Sequence, residues 1–373
     1  MDAEAIKALK DLMGALGSPN LDCRQDGAKL DAGARASYLF NSGIAGIDQA
    51  DAILLVGTDP GTEAAVLNAR IRKRFLRRGV KIAAIGPKVD LTYELEWLGE
   101  GADTLQALVN GGHAFAEVMK AAKNPLIIVG QGALTRADGA AILGLLHSLA
   151  EATGVVKDGW NGFNVLHTAA SRVAALDLGF VPGEGGRDVA GIVASAAAGE
   201  IEAVWLLGAD EIDTTALGHA FVIYQGSHGD AGAHRADVIL PGAAYTEKNG
   251  TYLNTEGRVQ RTTRAIFPPG DAREDWAIIR ALSDRLGKKL PYDSLVALRA
   301  RLVEAVPHFG RVDAVASADW AAFGAAGPVE ASAFTYAVRD FYLTNPIARA
   351  SATMAECSAI HHGHSHEATG THG

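Results

Sequence analysis

The stretch ADVILPGAAYTEKNGTYLNTEGRVQ, residues 236–260, decides how the chain is read. Its apolar run from Val238 to Leu240 reads as a buried strand, ended by Pro241-Gly242. Asn249-Gly250 favours a tight turn. Glu247, Glu256 and Arg258, with Asn254 among them, bring opposite charges into one compact region. Buried charges must pair, because an unpaired one is costly. The segment therefore predicts a Glu–Arg network that ties the loop to the rest of the chain. The same four residues, Glu247, Asn254, Glu256 and Arg258, are the candidates for a pocket holding an anionic cofactor.

Outward from this segment, short apolar runs recur and end in glycine: AILLVG (52–57), KIAAIG (81–86), PLIIVG (125–130), AVWLLG (203–208) and FVIYQG (221–226). Most lack polar/apolar alternation, as expected for strands covered on both faces, and several precede amphipathic helical stretches. The fold class is α/β: two open, mostly parallel sheet units with flanking helices. VGTDP (56–60) and LGADE (207–211) share a strand, a glycine, one residue and an aspartate, which suggests two related units, 1–122 and 123–265. After the first strand Asp59 caps a helix, Pro60 takes its first position, and Leu67, Ile71 and Phe75 form one apolar stripe. RIRKRFLRR (70–78) carries six basic side chains in nine positions. It suits the negative helix end, or an acidic neighbouring protein surface. Gly79 stops that helix. From FPPGDARED a mostly helical extension, 266–357, is expected, with a loose Ala/Gly-rich connection over 310–333 and a disordered His-rich tail over 358–373.

Composition excludes several functions. The net charge of −9 over 373 residues argues against a general nucleic-acid binder. Only Cys23 and Cys357 are present, far apart, which is too few thiols for a disulfide scaffold, a structural zinc site or an iron–sulfur cluster. Free thiols fit a reducing compartment. The charged start MDAEAIKALK is no signal peptide, and no apolar run reaches the roughly 20 residues that span a bilayer. Membrane contact is expected only through partners.

Three further places could carry chemistry. VGQGALTRADG (129–139) approaches a dinucleotide loop with Gly130 and Gly132, but Thr135 stands where the third glycine would be; a packing turn is the plainer reading. His228, Asp230, His234 and Asp237 could hold a divalent metal, but they share a loop without i, i+4 spacing, so a polar loop at a sheet edge is favoured. His361, His362, His364 and His366 would bind nickel or zinc loosely in a flexible tail.

The segment YQGSHGDAGAHRADVILPGAAYTEKNGTYLNTEGRVQ (224–260) strongly resembles the 75 kDa subunit of NADH–quinone oxidoreductase, respiratory complex I. LVGTDPGTEAAVLNARIRK (55–73), IGPKVDLTY (85–93), DAREDWAIIRALS (271–283), LPYDSL (290–295) and FYLTNPIARASATMAEC (341–357) extend the likeness over about residues 1–357, most like the alphaproteobacterial form. The resemblance implies a molybdopterin-oxidoreductase fold that generally holds no molybdenum in complex I. It also implies iron–sulfur clusters in an N-terminal, cysteine-rich portion. MDAEAIKALKDLMGALGSPNLDCRQDG resembles an internal part of that protein, so the chain reads as a C-terminal fragment or a split form. In molybdenum relatives a GSPN-like segment precedes a metal-binding cysteine, selenocysteine or serine. RQDGAKLDAGAR (24–35) offers none, and Cys23 is the only nearby thiol. The family often carries Arg where this chain has Gly61, so an ion pair there is not carried over.

The function expected is a cofactor-free scaffold in the peripheral arm, on the cytoplasmic side of the inner membrane, beside the other subunits of that arm. The chain itself would neither oxidise NADH nor reduce quinone. A molybdopterin-dependent oxidoreductase and a metal-handling protein using the His tail are the alternatives.

Overall fold

The computed structural model describes residues 1–363. Its larger sheet begins with β1 (Ala52–Val56), β2 (Lys81–Ile85), β3 (Glu96–Gly99) and β4 (Pro125–Val129). A two-residue antiparallel pair, β5 (Val156–Lys157) and β6 (Trp160–Asn161), leads into β7 (Phe163–Val165). The five longer strands are parallel, in the order β3-β2-β1-β4-β7. Because β4 pairs with β1, and β7 with β4, this sheet runs through the division expected after residue 122.

Every residue of β1 and β4 is buried. Alternate side chains serve opposite faces, which is why the runs show no polar alternation. Leu54, Val56, Ile127 and Val129 pack with Leu105, Leu108, Ile142 and Leu146 of helices Ala102–Val109 and Gly139–Ala152. Ile53, Leu55, Leu126 and Ile128 pack with Leu67 and Ile71 of helix Ala65–Leu76. Each such burial stabilises by about 1.5–3 kcal/mol. Asp59 and Pro60 start a single turn, Pro60–Glu63, and the helix proper resumes after Ala64. Of the basic cluster, Arg70 pairs with Asp48 (2.6 Å) and Arg74 donates to the Ala50 carbonyl (2.6 Å), so part of it holds the helix to its own sheet.

The smaller sheet is parallel, with order β10-β9-β8: β8 (Ala203–Leu207), β9 (Phe221–Gly226) and β10 (Val238–Pro241). The expectation of a buried strand at Val238–Leu240 is corrected here. β10 is an edge strand, with Val238 39% and Ile239 54% exposed. An apolar run cannot by itself tell a covered strand from an edge awaiting cover. The chain then turns at Tyr245–Thr246 rather than at Asn249-Gly250; Gly250 opens the hairpin β11 (Gly250–Leu253) and β12 (Val259–Thr262).

In the extension, helices Asp275–Arg285 and Leu295–Ala305 pack on helix Ala3–Leu16 through Ile279, Leu298, Leu9 and Leu12. Residues 311–340 have no regular helix or strand, so the extension is less helical than expected, but it is not loose. Phe323 and Phe334 are buried, Trp320 stacks on His147 (4.9 Å between rings), and the Phe334 amide donates to Glu100 O (2.8 Å). Helix Ala352–His361 continues past residue 358, where the tail was expected to begin.

Candidate functional site

In a doubly wound sheet, ligands bind beyond the carboxyl ends of the strands, where the strand order reverses. Here that place lies between β1 and β4. Gly57 follows β1 with φ +58°, and Gly130 and Gly132 follow β4. The Gly130 amide donates to Val56 O (2.9 Å), and a Cβ on Gly130 would lie 2.4 Å from Gly57 O. A Cβ on Gly132 would lie 1.7 Å from Thr335 O. These glycines thus let two loops close on each other and seat the chain's own segment 334–337. Tyr336 Oη donates to Pro87 O, and the Ala337 amide donates to Glu63 Oε1 (3.4 Å). Burial pushes the Glu63 carboxyl up to about 7, although Thr58 Oγ1 (2.8 Å) and the Asp59 amide (3.2 Å) donate to it. The partial G-x-G is a packing turn.

The turn ahead of β12 binds protein groups. Glu256 Oε2 accepts from the Ile44 amide (2.8 Å) and Oε1 from Arg258 Nε (2.8 Å); Asn254 Nδ2 lies 3.4 Å from the same oxygen. Burial would raise the Glu256 carboxyl, but the Ile44 N–H and the Arg258 guanidinium hold it below its usual range. Arg258 Nη1 donates to Asp313 O (2.6 Å), and the Thr255 hydroxyl to Val165 O (2.9 Å). The turn therefore joins residues near 44, 165 and 313. Glu247 stands apart: its carboxylate accepts from the Ala244 amide (2.9 Å) and caps its own loop.

The histidines and aspartates of 228–237 do not converge. Asp230 pairs with Arg349, Asp237 accepts from the Val222 amide (2.8 Å), and His228 contacts Ser227 (3.0 Å). Among the described residues no group of three or more His, Cys, Asp or Glu side chains is placed to hold a metal ion. Burial pushes the Cys23 thiol up to about 12, as apolar surroundings do to a free thiol. Gly61 donates its amide to Asp59 Oδ1 (2.9 Å). His361 and His362 sit exposed at the end of the last helix, 5.3 Å apart; His364 and His366 lie outside the described residues. No helix among the described residues is long and apolar enough to cross a membrane.

Two buried ionic clusters escaped sequence reasoning because their members are distant in the chain. Lys248 Nζ lies 2.8 Å from Asp2 and bonds Asp275, joining the first helix, the β11 approach and helix Asp275–Arg285. Burial pushes the Asp275 carboxyl up, whereas Lys248 outweighs burial at Asp2 and holds it low. Asp177 accepts from Arg35 Nε (2.9 Å), Tyr38 Oη (2.8 Å) and His308 Nε2 (2.7 Å).

The family profile Molybdopterin oxidoreductase matches residues 1–285, and a second profile, for the C-terminal part of the NADH-ubiquinone oxidoreductase G-type subunit, matches residues 304–357. Among curated relatives, the NADH dehydrogenase (ubiquinone) iron-sulfur protein 1 of Solanum tuberosum is 44% identical, over 96% of this chain and 48% of its own length. The NADH-ubiquinone oxidoreductase 75 kDa subunit of Reclinomonas americana is 42% identical, over 97% and 54% respectively. The 78 kDa subunit of Candida albicans is 46% identical, over 96% and 50%. The chain thus spans about half the length of the curated relatives it matches. Acetylene hydratase from Pelobacter acetylenicus shares the fold, with TM-score 0.57 and 14% identity, over 83% of this chain and 57% of that one.

Proposed function

Since the chain belongs to the molybdopterin oxidoreductase family, in the branch of the complex I 75 kDa subunits, we propose that it is a scaffold without a cofactor of its own, supporting electron transfer from NADH to quinone. The observation that carries this reading is the Thr335 carbonyl seated against Gly132 at the point where the strand order reverses. A pterin dinucleotide does not fit there. The glycines that would cradle a phosphate already touch backbone, and Asp59 would set a carboxylate against its diphosphate.

The iron–sulfur clusters belong to the other half of the relatives' length. The partners are other subunits of the peripheral arm, and the place of work is the cytoplasmic side of the inner membrane, reached through the complex. The physical role is rigidity. β1 and β4 are buried throughout, and such a core deforms little, so neighbouring groups keep fixed separations. Pull-down of the tagged chain from cells that respire through complex I tests this. The other peripheral-arm subunits are expected in roughly equal amounts. Recovery of the chain alone, with complex I intact in the same lysate, contradicts the scaffold role.

A further inference from the structure

Arg172 is 3% exposed, yet most of its hydrogen-bonding capacity is unused. Nη2 donates to Asp26 Oδ1 (2.9 Å), while Nε and Nη1 have no partner among the described residues. The side chain lines two neighbouring cavities, of about 450 and 900 Å³. Gln25 lines both as well; its Nε2 donates to Glu211, and its buried Oε1 has no partner among the described residues. Thr168, Ala169, Thr344 and Asn345 complete the walls common to the two, together with Glu211, whose carboxylate is paired with Arg349 (3.2 Å). A buried N–H left unmade is costly, and more so on a charged group. Burial, and after it the Arg172 guanidinium, pushes His167 down to about 4, with Asp26 acting the other way.

The free donors belong to a cation, so the ligand that satisfies them carries negative oxygen. The free acceptor on Gln25 asks the same ligand for a hydrogen. We propose that Arg172 and Gln25 form a binding site for a small oxyanion bearing an O–H group, of which monohydrogen phosphate is the simplest, Arg172 taking its charged oxygens and Gln25 Oε1 its hydroxyl. Thr344 and Asn345 belong to the C-terminal segment, so the anion also bridges that segment to the body of the fold. This site lies beside the seat of Thr335 and does not depend on it.

The test is titration of the full chain with sodium phosphate, sodium sulfate and, at matched ionic strength, sodium chloride, read by calorimetry and by the shift in Tm. Sulfate has the same shape but no hydrogen at neutral pH. Saturable phosphate binding is expected, with sulfate about tenfold weaker for the lost hydrogen bond. Arg172→Met keeps the volume and leaves Asp26, whose side chain is 25% exposed, able to hydrate; it should abolish saturable binding of both anions. Should that variant not fold, Gln25→Leu carries the test: its phosphate affinity should fall about tenfold, to the sulfate level, with sulfate unchanged. A phosphate response no different from chloride overturns the proposal, as do unchanged phosphate binding in Arg172→Met or an unaltered phosphate-to-sulfate ratio in Gln25→Leu.

Discussion

The two parallel sheets solve the problem of cover differently. The larger one buries both faces: the side chains of β1 and β4 divide between two apolar clusters, and segment 334–337 closes its ligand end. The smaller one leaves Phe221, Val238 and Ile239 on its surface. The approach to its following hairpin is anchored to the first helix by a buried ion cluster, Lys248 with Asp2 and Asp275. Apolar burial thus makes the first sheet self-sufficient, while the second leans on charges and leaves an edge that a neighbouring surface can cover.

The sharpest test of this contrast is Lys248→Met. It leaves two carboxylates buried without their cation and should cost about 3–5 kcal/mol, read from the midpoint of denaturant unfolding. A loss below about 1 kcal/mol would mean that the cluster is incidental. Next comes the closed end of the larger sheet. Gly132→Ala places a methyl where Thr335 O sits and should cost about 1–3 kcal/mol. Hydrogen exchange should quicken at the Phe334 and Ala337 amides; unchanged exchange there would show that the segment is not seated on Gly132.

Glu63 gives a pH-dependent reading of the same place. With its folded value pushed up to about 7 from 4.5, the folded chain holds a proton between those values that the unfolded chain has released. Its contribution is therefore complete below about pH 4.5 and lost as the pH rises through 7. His167, pushed down to about 4 by burial, acts in the opposite sense at acid pH, so the comparison is made against Glu63→Gln. The variant's Tm advantage should widen from pH 4.5 to 7 and then level off. A constant difference would place the carboxylate in water. The smallest effect belongs to the open edge: Ile239→Lys should change the stability of the isolated chain by no more than about 0.5 kcal/mol, while weakening recovery of partner proteins. A large loss of stability would mean that the edge is already covered within the chain.

Much of this was legible in the sequence, and the reasons differ by element. The runs at 52, 81, 125, 203 and 221 announced parallel strands because a strand buried on both faces must be apolar throughout. Asp59-Pro60 marked a helix start because capping is local chemistry. β3 and β7 passed unread, since EWLG and FNV are short and take their pairing from neighbours far away in the chain. The exposure of β10 was missed because an edge and a centre present the same run of residues. Of the four cofactor candidates, Asn254, Glu256 and Arg258 do gather, whereas Glu247 serves its own loop; spacing alone could not separate them. Arg172, Lys248 and Asp177 gave no local signal, because their partners lie at Asp26, Asp2 and Arg35.

The most direct test of the central claim is the pterin and molybdenum content of the chain purified from a host that makes the molybdenum cofactor. With Thr335 occupying the place where β1 and β4 diverge, neither should be present at more than a small fraction per chain. One pterin per chain, together with lost protection of the Phe334 amide, would contradict the account.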